Sequence, residues 1–243
     1  RHNLIHHLHR HTHAQGRFER GEPNELWQLD FKGAIGLSLN RLEPLTLIDD
    51  CSRYVTGSYA LANHGGRETL NCCIDAFRHY GLPSQMLMDH GTPWWDWKNG
   101  WGLTKVSVAL INQGIDLIFG RVNHPQTQGK VERFHRTLEA AVRHRGFPTR
   151  VAEWQPLLDK VRYRYNYVRP HEALGMQTPS TRFKPSPREY KAIITPWNYP
   201  QNVETFRLNS DGILRHQLGA FFVGEPLAWQ EVGVEEVNTS LLV

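Results

Sequence analysis

The chain has 243 residues, 40% of them hydrophobic and 21% charged, with a net charge of +4, enough for one good-sized core or a core plus a small second unit. No apolar run approaches the roughly 20 residues that cross a bilayer, and the His- and Arg-rich start holds no signal-peptide hydrophobic stretch. The three cysteines, Cys51, Cys72 and Cys73, lack C-x-x-C spacing, which argues against a disulfide framework or a structural zinc site and for a reducing cytoplasm.

Residues 1–20 carry six of the fourteen histidines and four arginines against one glutamate. His6, His7, His9, His11 and His13 read as a solvated linker. The chain begins at Arg1 and its first methionine is Met86, so we read it as a fragment lacking an N-terminal part. Residues 25–33 alternate around Trp27, Leu29 and Phe31 and predict a strand; residues 45–50 and 54–61 predict two more, joined at residues 50–53. Residues 67–80 have helical spacing at Leu70, Ile74 and Phe77 and stop at Gly81-Leu82-Pro83. Short apolar runs at 84–89 and 115–121 predict strands, with a helix over 104–113 between them. Residues 128–145 form the clearest helix and 153–167 a second. Strands first, then strands alternating with helices, predict an α/β domain with a mixed sheet. After the Pro-rich stretch 179–200, the segments 206–208, 212–214, 220–224 and 227–232 predict a small all-β, barrel-like module. The expected organisation is a linker at 1–22, a core at 23–150, a helical extension and connector at 151–195, and a small β domain at 196–243.

Charge is polarised along this order. Residues 21–120 hold seven Lys and Arg against eleven Asp and Glu, residues 121–169 hold eleven against four, and residues 203–243 hold two against six.

Three carboxylates stand out. Asp30 lies inside the first predicted strand, where Asp is disfavoured; an edge or solvent-facing Asp is the plain alternative. Asp89 ends an apolar run before Gly91, and the carboxyl ends of strands in α/β sheets are where ligands bind; a simple turn Asp is equally open. On the helix, Val131, Phe134, Leu138, Ala141 and Val142 form one apolar stripe, with Glu132, Arg136, Glu139 and Arg143 well away from its centre. An ordinary solvated face with i,i+4 ion pairs would look the same. As a set, two strand-borne Asp and one helix-borne Glu supply the hard oxygens that Mg²⁺ requires. A pair of such ions can activate an attacking oxygen and stabilise a leaving oxygen in phosphoryl displacement. The basic block Arg121, Lys130, Arg133, Arg136, Arg143, Arg145 and Arg150 would then hold a polyanion.

These residues resemble a known family. Leu26-Trp27-Gln28-Leu29-Asp30-Phe31 is similar to the first catalytic strand of integrase-type DDE transposases of bacterial insertion sequences, which share the retroviral-integrase, ribonuclease-H-like core. Ile48-Asp49-Asp50-Cys51-Ser52-Arg53-Tyr54-Val55 resembles the family's second-strand hairpin, and Met88-Asp89-His90-Gly91-Thr92-Pro93 its second-Asp motif. His124-Pro125-Gln126-Thr127-Gln128-Gly129-Lys130-Val131-Glu132-Arg133-Phe134 resembles the loop and helix that carry the catalytic Glu. Tyr165-Asn166-Tyr167-Val168-Arg169-Pro170-His171-Glu172-Ala173-Leu174 is similar to the downstream segment. The resemblance runs from about Pro23 to Pro179.

It implies a ribonuclease-H-like mixed sheet flanked by helices, with Asp30, Asp89 and Glu132 as catalytic residues and as ligands of two Mg²⁺ or Mn²⁺ ions. It further implies hydrolysis at the ends of a mobile element, then transfer of the freed 3′-hydroxyl into target DNA without a covalent protein–DNA intermediate. Lys130, Arg133, Arg136, Arg143 and His124 are the expected DNA contacts. The expected partners are double-stranded DNA and further copies of the chain, with no membrane, in a bacterial cytoplasm. Two departures are visible. The interval from Asp89 to Glu132 is lengthened by residues 94–101, which hold four of the eight tryptophans, and Glu139 stands where retroviral integrases tend to carry a basic residue. The Trp-rich stretch reads either as a packed insertion or as a loop offering rings to unstacked bases. A nuclease of the same core that cuts without joining, and an inactive DNA-binding or assembly protein, are the rival functions. A two-carboxylate glycosidase is more remote, because nothing in it calls for a basic block or a third carboxylate. The acidic tail suits protein contact within a multimer better than a grip on DNA.

Overall fold

The computed structural model describes residues 19–36, 41–96, 98, 102–120, 129–194, 198–237 and 240–242. Strands β1 (Leu26–Phe31), β2 (Leu45–Asp49) and β3 (Val55–Tyr59) form an antiparallel meander. Strands β4 (Gln85–Met88) and β5 (Asp116–Phe119) add in parallel on the other side of β1, giving the mixed order β3-β2-β1-β4-β5. Helices α1 (Gly66–Tyr80) and α2 (Lys105–Asn112) make the crossovers to β4 and β5; α3 (Gly129–Arg145) and α4 (Trp154–Tyr163) follow. Thr104 fixes the start of α2 through a reciprocal capping box with Ser107. The α/β sheet flanked by helices is the one the sequence predicts, with element ends moved by one or two residues.

Period-two alternation in β1 divides the core into two layers. Trp27 and Leu29 face one side, where they meet Leu45 and Leu47 of β2, Cys73, Ala76 and Phe77 of α1, and Leu110 of α2. Gln28 and Asp30 face the other side, paired across β2 with Ile48 and Thr46. Ile48 and Val55 there join Val131, Phe134, Leu138 and Val142 of α3 and Trp154, Leu158 and Val161 of α4. β1 is central in the sheet, so Asp30 is not the edge-strand residue that its propensity alone suggests.

The predicted helix over 153–167 departs from α geometry near its end, where Arg164–Val168 form a π-helical turn. The extra residue in that turn aims both Tyr165 and Asn166 inward. Tyr165 sets its ring edge-on to Phe134, 4.9 Å between centroids. The Asn166 amide accepts from Val55 N at 2.9 Å and donates to Val55 O at 3.0 Å, closing off the outer edge of β3. In the tail, β6 (Glu204–Arg207), β9 (Glu231–Val237) and β10 (Ser240–Leu242) make a three-stranded sheet, while β7 (Ile213–His216) and β8 (Gly219–Phe222) form a separate hairpin. Leu208, Leu214, Val232 and Val234 are the small core between them. The sequence reading contained no counterpart of β10, a three-residue strand.

One polar network seats α3 on the sheet. Asp50, fully buried just after β2, accepts hydrogen bonds from Gln28 Nε2 at 2.8 Å and Arg20 N at 2.8 Å, and pairs with the Lys130 ammonium. Gln28, also fully buried, turns its carbonyl to accept from Val131 N at 3.3 Å. One turn on, the His135 ring reaches Thr46 Oγ1 at 3.1 Å. The first turn of α3 is thereby tied to both central strands by hydrogen bonds whose directions leave little freedom to slide. Removing one member of a buried pair strands the other charge, at about 3–5 kcal/mol. Lys130→Met alone should therefore lower unfolding free energy by about that amount in urea titrations, and Lys130→Met with Asp50→Asn should recover at least half of the loss. Equal losses in the single and double variants would mean that the pair does not hold the helix.

Candidate active site

The parallel register of β1 and β4 pairs Leu26 with Gln85, Trp27 with Met86 and Gln28 with Leu87. Two residues further along, the same register sets Asp30 beside Asp89 at the carboxyl ends of adjacent strands, which lie roughly 4.8 Å apart. Glu132 stands in the first turn of α3, the helix docked over the face from which Asp30 projects. Asp30 is mostly buried, whereas Asp89 and Glu132 are exposed. The structure thus brings the three carboxylates to one end of the sheet.

Their charges act on one another. Burial, then the negative charge of Asp89, and more weakly that of Glu132, push the Asp30 carboxyl up from 3.8 to about 7. The backbone N–H of Phe31 and the Lys32 ammonium oppose this without cancelling it. His135 Nδ1 lies 3.8 Å from Asp30 Oδ2, but burial and the charge of Lys32 push that imidazole down to about 3. His135 is therefore neutral at physiological pH and supplies no balancing charge.

Asp89 is held from beneath. Its Oδ1 accepts from Gly91 N at 3.0 Å and from the indole Nε1 of Trp94 at 2.9 Å, and its carbonyl accepts from the same indole at 3.1 Å. The Trp94 ring is buried and stacks on Phe31 at 5.5 Å, and Phe31 stacks on His64 at 3.9 Å. Trp95 packs edge-on against Phe119 at 4.7 Å. The start of the Trp-rich stretch is thus packed against the sheet; Trp97 and Trp101 lie outside the described residues.

Among the described residues, no three His, Cys, Asp or Glu side chains close into a ready metal cluster. The chemistry of the donor set still fits a hard divalent cation, since all three groups offer carboxylate oxygens and their mutual repulsion is what such a cation relieves. Of the expected DNA contacts, Arg133 and Arg136 are exposed on α3, and Arg143 is exposed and pairs with Glu139 at 2.7 Å. Lys130 turns inward to Asp50. His124 lies outside the described residues. Glu139 also pairs with Lys32 at 3.3 Å, which ties the middle of α3 to the chain just beyond β1. The sequence reading did not single out Gln28 or Asp50. Their signal was the burial parity of β1 and a carboxylate next to a buried turn, neither of which carries meaning until α3 is placed.

A folded-state pKa above the unfolded one makes stability fall as pH rises from 3.8 toward about 7. In metal-free buffer with a chelator, Asp30→Asn should accordingly melt higher than the parent at pH 8, and its advantage should shrink as pH falls toward 5. Excess Mg²⁺ should raise the parent's melting temperature and leave the variant's unchanged. An Asn variant no more stable than the parent at pH 8 would show that Asp30 carries no such burden.

Comparison with known proteins bears on the fold. Residues 113–179, which include α3 and α4, match the integrase core domain family. A protein of 31.7 kDa from insertion element IS407 of Burkholderia multivorans is 25% identical over 169 residues, or 66% of this chain. The chain spans about half the length of that relative, 55%. The catalytic core domain of HTLV-2 integrase in complex with magnesium superposes with a TM-score of 0.51 at 14% identity, covering 66% of this chain and 97% of that one. A chain of the simian T-cell lymphotropic virus intasome in complex with the PP2A regulatory subunit B56 gamma gives 0.59 at 15% identity, covering 96% and 80%. Residues 113–179 thus match the integrase core domain family, and the mixed α/β sheet has the fold of retroviral integrase catalytic cores.

Proposed function

We propose that this chain is the catalytic part of a DNA transposase that cuts mobile-element ends and transfers the freed 3′-hydroxyl into target DNA. The observation that carries the reading is that Asp30 and Asp89 stand at the carboxyl ends of the adjacent strands β1 and β4 and Glu132 in the first turn of the docked helix α3, with both of the latter charges raising the Asp30 carboxyl. These three carboxylates would hold two divalent ions, Mg²⁺ or Mn²⁺, which when bound activate an attacking oxygen and stabilise the leaving oxygen of an in-line phosphoryl displacement.

The chain's own residues do the rest. Trp94 and the Gly91 amide fix the rotamer of Asp89. The Asp50–Lys130–Gln28 network fixes the start of α3 and with it Glu132. Neutral His135 fills the space beside Asp30 and adds no positive charge that would compete with a cation. Arg133 and Arg136, exposed on the helix that carries Glu132, would grip DNA phosphates next to the reacting bond, and Arg143 two turns further on would extend that surface. The proposed bounds of the catalytic unit are 23–150, with the helical extension 151–195 packed against it through α4 and a separate β module at 196–243.

Synthetic element ends, blunt and pre-cleaved, test the reading with Mg²⁺ and with Mn²⁺. The parent should cleave the first and join the second; Asp30→Asn, Asp89→Asn and Glu132→Gln should each lose both activities by at least about a thousandfold, while Arg133→Ala and Arg136→Ala each reduce the salt dependence of DNA binding by about one counterion. Cleavage without any joined product would replace transposition with simple nuclease action. Salt-sensitive DNA binding indifferent to metal and to all three carboxylate substitutions would leave only a binding protein.

A further inference from the structure

The C-terminal half of α3, helix α4 and residues 164–170 enclose a groove of about 400 Å³. Small-molecule sites run from about 300 to 1,000 Å³ and join an apolar lining to a few polar groups that fix orientation. Ala141, Val161 and Val168 supply the apolar surface here; Val161 is buried, whereas Val168 is 56% exposed. Arg145, Lys160, Arg164 and Arg169 stand around it, and no carboxylate lines it. Arg169 donates to Thr137 Oγ1 at 2.8 Å, a bond that runs from the 164–170 segment to α3 and holds the guanidinium at the groove.

The charges of these four residues are unbalanced, which sets them apart from their neighbours. Arg143 pairs with Glu139 at 2.7 Å, Arg150 with Glu153 at 2.7 Å and Arg162 with Asp159 at 3.6 Å. Among the described residues, Arg145, Lys160, Arg164 and Arg169 form no ion pair. Lys160 and Arg164 also stand four residues apart, a spacing at which like charges on a helical face repel. A concavity that gathers unpaired cations round an apolar surface matches a polyanion with a flat, apolar part. Bare phosphate would leave the apolar surface wet. Duplex DNA offers a convex backbone with no apolar face to fill the groove. A nucleotide answers both demands: its base covers the apolar surface, while arginine forks take phosphate oxygens in pairs or stack on the ring.

We propose that this groove binds a free nucleoside triphosphate, base on Ala141, Val161 and Val168 and phosphates on the basic rim. The site is separate from Asp30, Asp89 and Glu132, and the proposal does not depend on the chemistry there. Because no carboxylate lines the groove, binding needs no divalent ion, unlike a nucleotide held through metal at those three carboxylates. Bound nucleotide would tie α3, which carries Glu132 in its first turn, to the 164–170 segment.

The test titrates the full chain into methylanthraniloyl-ATP in EDTA and follows fluorescence anisotropy, with unlabelled ATP as competitor. Saturable binding is expected, unchanged by Asp30→Asn. Arg164→Glu with Arg169→Glu, and separately Val168→Glu, should each weaken it by about tenfold or more. Arg67→Glu with Arg78→Glu, the same change of charge placed on α1 instead, should shift it by less than about twofold. All five side chains are exposed, and unchanged circular dichroism melts without nucleotide would certify that the variants fold. Inorganic tripolyphosphate should compete about tenfold more weakly than ATP, since it leaves the apolar surface uncovered. Five results would each overturn the proposal: no saturable binding, binding that requires Mg²⁺, competition by tripolyphosphate equal to that by ATP, a loss in the α1 variant as large as in the groove variants, or a single-stranded oligonucleotide that displaces the label more tightly than ATP. The last would assign the groove to a DNA strand.

Discussion

A single buried carboxylate, Asp50, organises the relation between helix and sheet on which the site depends. It has no water to turn to, so its charge is met by the Lys130 ammonium, the Gln28 amide and the Arg20 backbone N–H. Two of these partners belong to the proposed machinery's own supports. Gln28 shares a strand face with Asp30, and Lys130 precedes Glu132 by two residues. A buried ion pair of this kind adds little net stability over an apolar replacement, because desolvation offsets most of the attraction. What it supplies is registry: apolar packing of Val131, Phe134 and Leu138 would tolerate a small slide of α3, and directional bonds to Gln28 and Asp50 would not.

The end of the sheet that holds the candidate site is built against its own electrostatic interest. Asp30 is buried next to two like charges, and the imidazole beside it is too buried to ionise. The Lys32 ammonium, which lowers the Asp30 carboxyl only weakly, is drawn toward Glu139 at 3.3 Å. Such an arrangement costs folding free energy when no cation is present, and it concentrates negative potential where a divalent ion would bind. Stability elsewhere offsets that cost: two apolar layers sandwich the sheet, and Asn166 closes the edge of β3 through a π-turn that would be an odd defect without that task.

Much of this is legible in the sequence. Alternation in residues 25–33 located β1, the apolar stripe of α3 located its buried face, and Asp30 inside a strand and Asp89 at the end of an apolar run stood out from their neighbours. The features that were missed share a cause. Lys130 reads as one more cation in a basic block until the chain folds and sets Asp50, eighty residues away in sequence, beneath it. Glu139 looks anomalous as an acid in the middle of a basic helix and makes sense only with Lys32 opposite it. The π-turn at Arg164–Val168 is invisible to periodicity because one inserted residue changes which side chains face inward. Local pattern specifies elements; the long-range polar partners that lock them together are specified by packing.

The central claim is that Asp30, Asp89 and Glu132 converge on a common binding point for divalent ions because α3 is locked to the sheet. Anomalous diffraction from crystals grown with Mn²⁺ tests it most directly. The account predicts two peaks roughly 3.5–4 Å apart, bounded by these three carboxylates, and their loss when Lys130 and Asp50 are exchanged for one another. Peaks confined to other residues, or no peak near Asp30 at saturating Mn²⁺, would contradict it.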